Sequence, residues 1–134
     1  MTLLAELVRA SQRVGASTAR RAKVQELAWL LKTLPPDEVA IGVHYLSGEI
    51  SQGKIGIGFA AVRAAAATAA ARVESLTIGE TDRRLAQLAE VRGAGSAARR
   101  AAELEELFSR STRDEQQFLL RLLIGELQIG RAHV

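Results

Sequence analysis

The chain has 134 residues, 48% of them hydrophobic and only two of them proline, enough apolar material for one domain with a real core and too much for a disordered segment. Net charge is a modest +3, but fifteen of the eighteen basic residues are arginine, the side chain best built for bidentate phosphate contacts, which tilts the partner towards a polyanion without deciding it. There is no cysteine, and His44 and His133 lack partners at metal-ligand spacing, so no disulfide, thiolate or metal chemistry is written here.

Leu3, Leu4, Leu7, Val8 and Val14 share one helical face and predict an amphipathic helix over about residues 2–14, ended by Gly15. Met1 leads into Glu6 and Arg9 without a long apolar run, so neither a signal peptide nor a membrane span is expected and the default location is the cytoplasm. Ser17 and Thr18 can cap a second helix, in which Val24, Leu27, Ala28, Leu31 and Leu34 repeat at helical spacing until Pro35-Pro36 stops it. A third helix is expected from there to about Leu46, before Gly48, with Asp37 and Glu38 in its first turn, where carboxylates suit the positive end of the helix dipole.

Residues 51–58 carry three glycines and read as a loop. A helix is then expected from about Phe59 through residues 64–71, where Thr68 interrupts an alanine run that is rich in helix propensity and offers no chemistry. Beyond residues 73–77 another helix carries Leu85, Leu88 and Ala89 and ends at Arg92-Gly93-Ala94-Gly95. Ser96 is placed to cap the next, which bears Ala101, Leu104, Leu107 and Phe108, and a last helix follows Ser111-Thr112 and holds Phe118 to Leu123. No alternating run is long enough for a sheet, so the fold is expected to be all-α.

The chain also repeats itself at a constant offset of 77 positions. Glu26-Leu27, Leu30, Asp37-Glu38, Leu46, Gly48-Glu49 and Gly53 recur as Glu103-Leu104, Leu107, Asp114-Glu115, Leu123, Gly125-Glu126 and Gly130. The unit is a duplicated helix-turn-helix closed by a Gly-Glu-apolar turn, spanning about residues 17–72 and 94–128. The second copy breaks off soon after that turn, so C-terminal helices are expected to be missing and Leu119, Leu122 and Leu123 to be partly uncovered.

Gly56-Ile57-Gly58-Phe59-Ala60-Ala61 matches the G-x-G-x-x-A dinucleotide fingerprint, but that motif works only where a parallel strand feeds a helix, and no such unit is predicted. Phosphate-loop, nucleophile-elbow and paired-histidine motifs are absent from the sequence. Asp37-Glu38 and Asp114-Glu115 occupy equivalent first turns and read as dipole capping rather than acid-base pairs. The basic clusters are more suggestive. Arg20, Arg21 and Lys23 open one copy, and Arg99 and Arg100 open the other just behind Gly93-Ala94-Gly95-Ser96. Glycines allow close backbone approach, a helix start presents free N–H groups, and guanidinium groups add charge: together, a phosphate-backbone clamp. The plain alternative is a solvated helix start with arginine paired to Glu103 or Glu106. The two Gly-Glu-apolar turns would expose related loops suited to a pseudo-symmetric ligand such as duplex DNA.

At these residues the sequence resembles the N-terminal DNA-binding domain of ATP-dependent DNA ligases, particularly bacterial ones. The matching stretches are Ser17-Thr18-Ala19-Arg20 with Lys23-Val24, Leu46-Ser47-Gly48-Glu49-Ile50 through Ile55-Gly56-Ile57-Gly58, Gly93-Ala94-Gly95-Ser96 with Arg99-Arg100, and Phe118 to Leu123 with Gly125-Glu126-Leu127. The resemblance implies a helical domain with internal pseudo-two-fold symmetry that grips the minor groove on both sides of a nick. It implies further domains that take AMP from ATP, with Mg2+, onto a lysine. No K-x-D-G motif occurs here, so this chain is expected to be inactive alone and to hold no cofactor of its own.

The expected partners are nicked double-stranded DNA and the missing catalytic domains. The DNA-contact candidates are Ser17, Thr18, Arg20, Gly95, Ser96, Arg99, Arg100, Gly125 and Gln128, together with Gly56 and Gly58. Gln128 departs from the family's usual arginine, and the residues after it, Ile129-Gly130-Arg131-Ala132-His133-Val134, are what a widely used sequencing adapter encodes in frame. Residues 129–134 are therefore expected to be a non-native tail. The rival reading is a helical-repeat scaffold that binds protein; a nucleotide-using enzyme built on Gly56–Ala61 is a third.

Overall fold

Leu4, Leu7, Val8 and Ala10 recur at helical spacing, and in the structure all four are withdrawn from water on one stripe of helix α1 (Leu4–Ala16). The structure, a computed structural model, describes residues 1–16, 19–53 and 55–132, with residues 126–132 by backbone alone. Each fully buried leucine contributes about 1.5–3 kcal/mol. That makes α1 the natural centre on which α2 (Arg20–Thr33), α3 (Val39–Leu46) and α7 (Arg113–Ala132) pack. The other half is built on α6 (Ser96–Ser109), which packs against α4 (Phe59–Ala66) and α5 (Ile78–Glu90), while α4 also meets α7. The fold is all-α. The β-type contact among the described residues is an isolated bridge between Leu3 and Thr77, where Leu4 N–H donates to Leu76 O and Ile78 N–H to Thr2 O, strapping the N-terminus to the start of α5.

Several expected boundaries move, each for a local reason. Gly15 does not end α1, which runs on to Ala16; one interior glycine costs only about 1 kcal/mol against alanine. The expected apolar stripe of α2 is buried only in part. Leu34, at the C-cap, is buried, Leu27 and Leu31 are half-buried, and Val24 and Ala28 are exposed, whereas Leu30, outside that stripe, is buried. Glu26, one turn before Leu30, pairs with Arg13 of α1, so the helix is rolled to put the Glu26–Leu30 side against its neighbour. Pro35-Pro36 do stop α2, but they lead into a short 3-10 turn, Pro36–Glu38, before α3 begins.

The alanine run ends α4 at Ala66, not at residue 71. Propensity is overridden there by the corner between α6 and α7: Thr68 O accepts from Gln116 Nε2 at 3.0 Å, and Ala71 N–H donates to Ser111 O at 2.8 Å. Leu119, Leu122 and Leu123, expected to be partly uncovered, are buried, because α1 and α4 lie over α7.

The two acidic pairs, expected to cap equivalent first turns, do different work. Asp37 and Asp114 are exposed, but Glu38 and Glu115 are buried. Glu115 forms a capping box: its Oε1 accepts from Thr112 N–H at 2.8 Å, and its own N–H donates to Thr112 Oγ1 at 3.4 Å. The repeat counterpart of Thr112 is Pro35, which has no N–H to give. Glu38 instead accepts from the Thr2 hydroxyl at 2.7 Å and from Thr2 N–H at 3.3 Å, and fastens the N-terminus.

Candidate nucleic-acid interface

The candidate interface begins where two glycine-bearing stretches meet. Residues 93–95 turn back into α6 with Gly93 at φ +90° and Gly95 at φ +75°, values that only glycine adopts freely. Gly95, not Ser96, is the N-cap; Ser96 is the first helical residue, and no side chain caps the helix. The expectation that Ser96 caps α6 is corrected accordingly, because the left-handed glycine already makes the turn. Gly56, at φ +73°, lies against the same region: a methyl carbon built on it would sit 3.7 Å from Cζ of Arg100. Arg100 Nη1 donates to Val91 O at 2.7 Å, so the guanidinium bridges the end of α5 and the backbone at Gly56. Gly58, exposed and extended, is the N-cap of α4.

Gly56, Gly58, Gly95, Ser96, Arg99 and Arg100 are thus gathered on the α4–α6 half. Arg99 is exposed and its side chain makes no hydrogen bond or ion pair among the described residues; neither Glu103 nor Glu106 takes it. Arg20 opens α2 on the other half, exposed, and no hydrogen bond or ion pair joins it to this group. Ser17 and Thr18 lie outside the described residues, as does the side chain of Gln128. No strand among the described residues enters Gly56, which removes the dinucleotide reading.

Charge placement differs among the helix starts. The first turns of α1, α5 and α7 carry Glu6, Glu80, and Asp114 with Glu115, as the dipole favours. The first turns of α2 and α6, the repeat-equivalent pair, hold no acid, like those of α3 and α4; α2 opens on Arg20-Arg21, whereas α6 opens on Ser96-Ala97-Ala98 and carries Arg99 and Arg100 as its fourth and fifth residues. A cation in the first turn, as at Arg20 and Arg21, opposes the dipole by about 0.3–1 kcal/mol. A bound polyanion would reverse that sign.

Gly125 is not in a turn. The backbone of α7 continues through it to Ala132, so the second copy has no exposed loop matching the one after Gly48. Glycine in mid-helix is tolerated, and Glu126, Leu127 and Gln128 are good helix formers. Sequence reading missed Arg121, which is exposed and borders a small cavity of about 160 Å3 with Ser11, Tyr45, Gly48 and Phe118. Its signal was present: Arg121 stands four residues before Gly125, as His44 stands before Gly48. Within that neighbourhood burial, and then the charge of Asp82, push the Tyr45 hydroxyl up, so it stays protonated.

The DNA ligase N-terminus family matches residues 59–133. The chain belongs to that family. Relatives named as probable DNA ligases align along nearly the whole of this ligase N-terminal chain: one from Anaeromyxobacter sp. is 48% identical over 95% of it, and those from Mycolicibacterium gilvum and Rhodococcus opacus are each 46% identical over 96%. The chain spans 25% of the length of each of these relatives. No solved structure matches it. No helix among the described residues is long and apolar enough to cross a membrane.

Proposed function

We propose that this ligase N-terminal chain holds nicked duplex DNA through phosphate and minor-groove backbone contacts, largely independent of base sequence. The 3′-hydroxyl and 5′-phosphate termini then stay aligned for ligation by ATP-dependent catalytic domains. The observation that carries the reading is the pair of repeat-equivalent helices, α2 and α6, which hold no acid in their first turns and carry exposed arginine near their starts, Arg20-Arg21 on one and Arg99 on the other. Family membership supplies the substrate class, and the cluster of Gly56, Gly95 and exposed Arg99 supplies a surface where a phosphate backbone can approach closely. The setting would be replication, repair or recombination on nucleoid DNA in the cytoplasm. In this reading ATP and Mg2+ are taken up by the catalytic domains, because the sequence here holds no K-x-D-G motif.

A second reading, a helical scaffold for a protein partner, is favoured by the exposed Trp29 and Val24 of α2. Salt titration separates the two. Duplex affinity should fall on a log–log plot with slope near about −0.9 per phosphate neutralised, and Arg99→Ala should remove about one such contact. Salt-insensitive or undetectable DNA binding would favour the scaffold.

A further inference from the structure

We propose that Arg100 is a positioning residue, whose guanidinium docks residues 55–58 onto the start of α6 so that Arg99, not Arg100, meets the DNA backbone. The inference rests on the DNA-binding reading above and divides two adjacent arginines that the sequence presents as one cluster.

Neighbouring residues on a helix point about 100° apart, so Arg99 and Arg100 cannot face the same surroundings. Arg99 is exposed and unpaired among the described residues. Arg100 is half-buried, and its charge is already engaged. Nη1 donates at 2.7 Å to the carbonyl of Val91, the C-cap of α5, where the negative end of that helix favours a cation. The guanidinium also lies beside Gly56, with Nε 3.8 Å and Cζ 3.7 Å from where a methyl would stand.

Gly56 is held at φ +73°, next to Ile57, which is buried in the core, and Gly58, which begins α4. Arg100 therefore ties three things together: the end of α5, the start of α6 and the backbone leading into α4. Lysine could keep the charge and one hydrogen bond, but it lacks the broad planar guanidinium that reaches both Val91 O and the side of Gly56.

The test combines hydrogen exchange at residues 55–58 with the salt dependence of duplex affinity for the wild-type chain, Arg99→Ala, Arg100→Ala and Arg100→Lys. Arg99→Ala should lower the salt slope by about 0.9 and leave exchange at 55–58 unchanged. Arg100→Ala should raise exchange at 55–58 several-fold and weaken binding by roughly tenfold at every salt concentration, with the wild-type slope. Arg100→Lys should resemble Arg100→Ala and, because it keeps the charge, serves if the alanine variant does not fold. A loss of slope in Arg100→Ala matching that of Arg99→Ala, unchanged exchange at 55–58, or wild-type behaviour of Arg100→Lys would each overturn the proposal. If the wild-type chain binds no duplex, the DNA reading fails, and exchange alone decides whether Arg100 holds the loop.

Discussion

Gly125 of α7 lies against the turn carbonyl of Gly48, its own counterpart in the repeat: a methyl carbon built on Gly125 would stand 3.8 Å from Gly48 O. The duplicated glycines therefore meet in space while serving opposite backbones, a left-handed turn at φ +82° for Gly48 and helix interior for Gly125. The space at Gly125 accepts a methyl group at ordinary contact distance. Gly125→Ala should accordingly be neutral or stabilising by up to about 1 kcal/mol through helix propensity. Gly48→Ala should cost about 1–2 kcal/mol for the left-handed conformation. Urea denaturation measures both, and a loss above 1 kcal/mol for Gly125→Ala would mean that α7 does not run straight through this point.

Gln116 predicts a second, larger effect. It is buried, and Nε2 donates to both Thr68 O at 3.0 Å and Phe108 O at 2.9 Å. Replacing it by leucine keeps the volume and removes both donors, leaving two carbonyls without that partner. Gln116→Leu should lose about 2–4 kcal/mol and loosen the chain after Ala66, read as faster hydrogen exchange near Thr68. A variant as stable as wild type would show that the alanine run stops for some other reason.

Much of this was legible in the sequence, and the exceptions have physical causes. The helix order, the glycine loop before Phe59 and the Pro35-Pro36 stop follow from periodicity and backbone chemistry, which act locally. The roll of α2 onto Leu30 does not, because it depends on the Glu26–Arg13 pair reaching another helix. The early end of α4 depends in the same way on Gln116, far along the chain. At the candidate interface the residue types and the glycines were readable, whereas the division between Arg99 and Arg100 was not: it requires knowing that Val91 O and Gly56 lie on one side of α6.

Trp29 tests which face is used. It is 57% exposed at the edge of a groove that also touches Arg9, Arg13 and Pro35, on the α1–α2 half and not beside Gly56. Trp29→Ala should change stability by less than about 1 kcal/mol and leave duplex affinity and its salt slope unaltered. A large drop in DNA affinity with stability intact would move the interface onto this groove.

Glu115 carries a pH signature. Burial raises its pKa, with a smaller push from the Glu74 carboxylate; the hydrogen bonds from Thr112 and the charge of Arg9 act in the opposite direction without cancelling it. Oε1 accepts from Thr112 N–H, while the buried Oε2 has no hydrogen-bond partner among the described residues. The folded chain therefore holds this proton more tightly than the unfolded chain does. Stability from this group is fully present below the ordinary glutamate pKa of about 4.3 and is lost as pH rises through the higher folded value. Glu115→Gln keeps an acceptor for Thr112 N–H and has nothing to titrate. Measured by urea denaturation from pH 3.5 to 8, the variant should gain on wild type as pH rises through that window, at a limiting rate of about 1.4 kcal/mol per pH unit. A difference that stays constant with pH would mean that Glu115 ionises in the folded chain as readily as in water. The capping box would then hold a solvated carboxylate and not a buried acid.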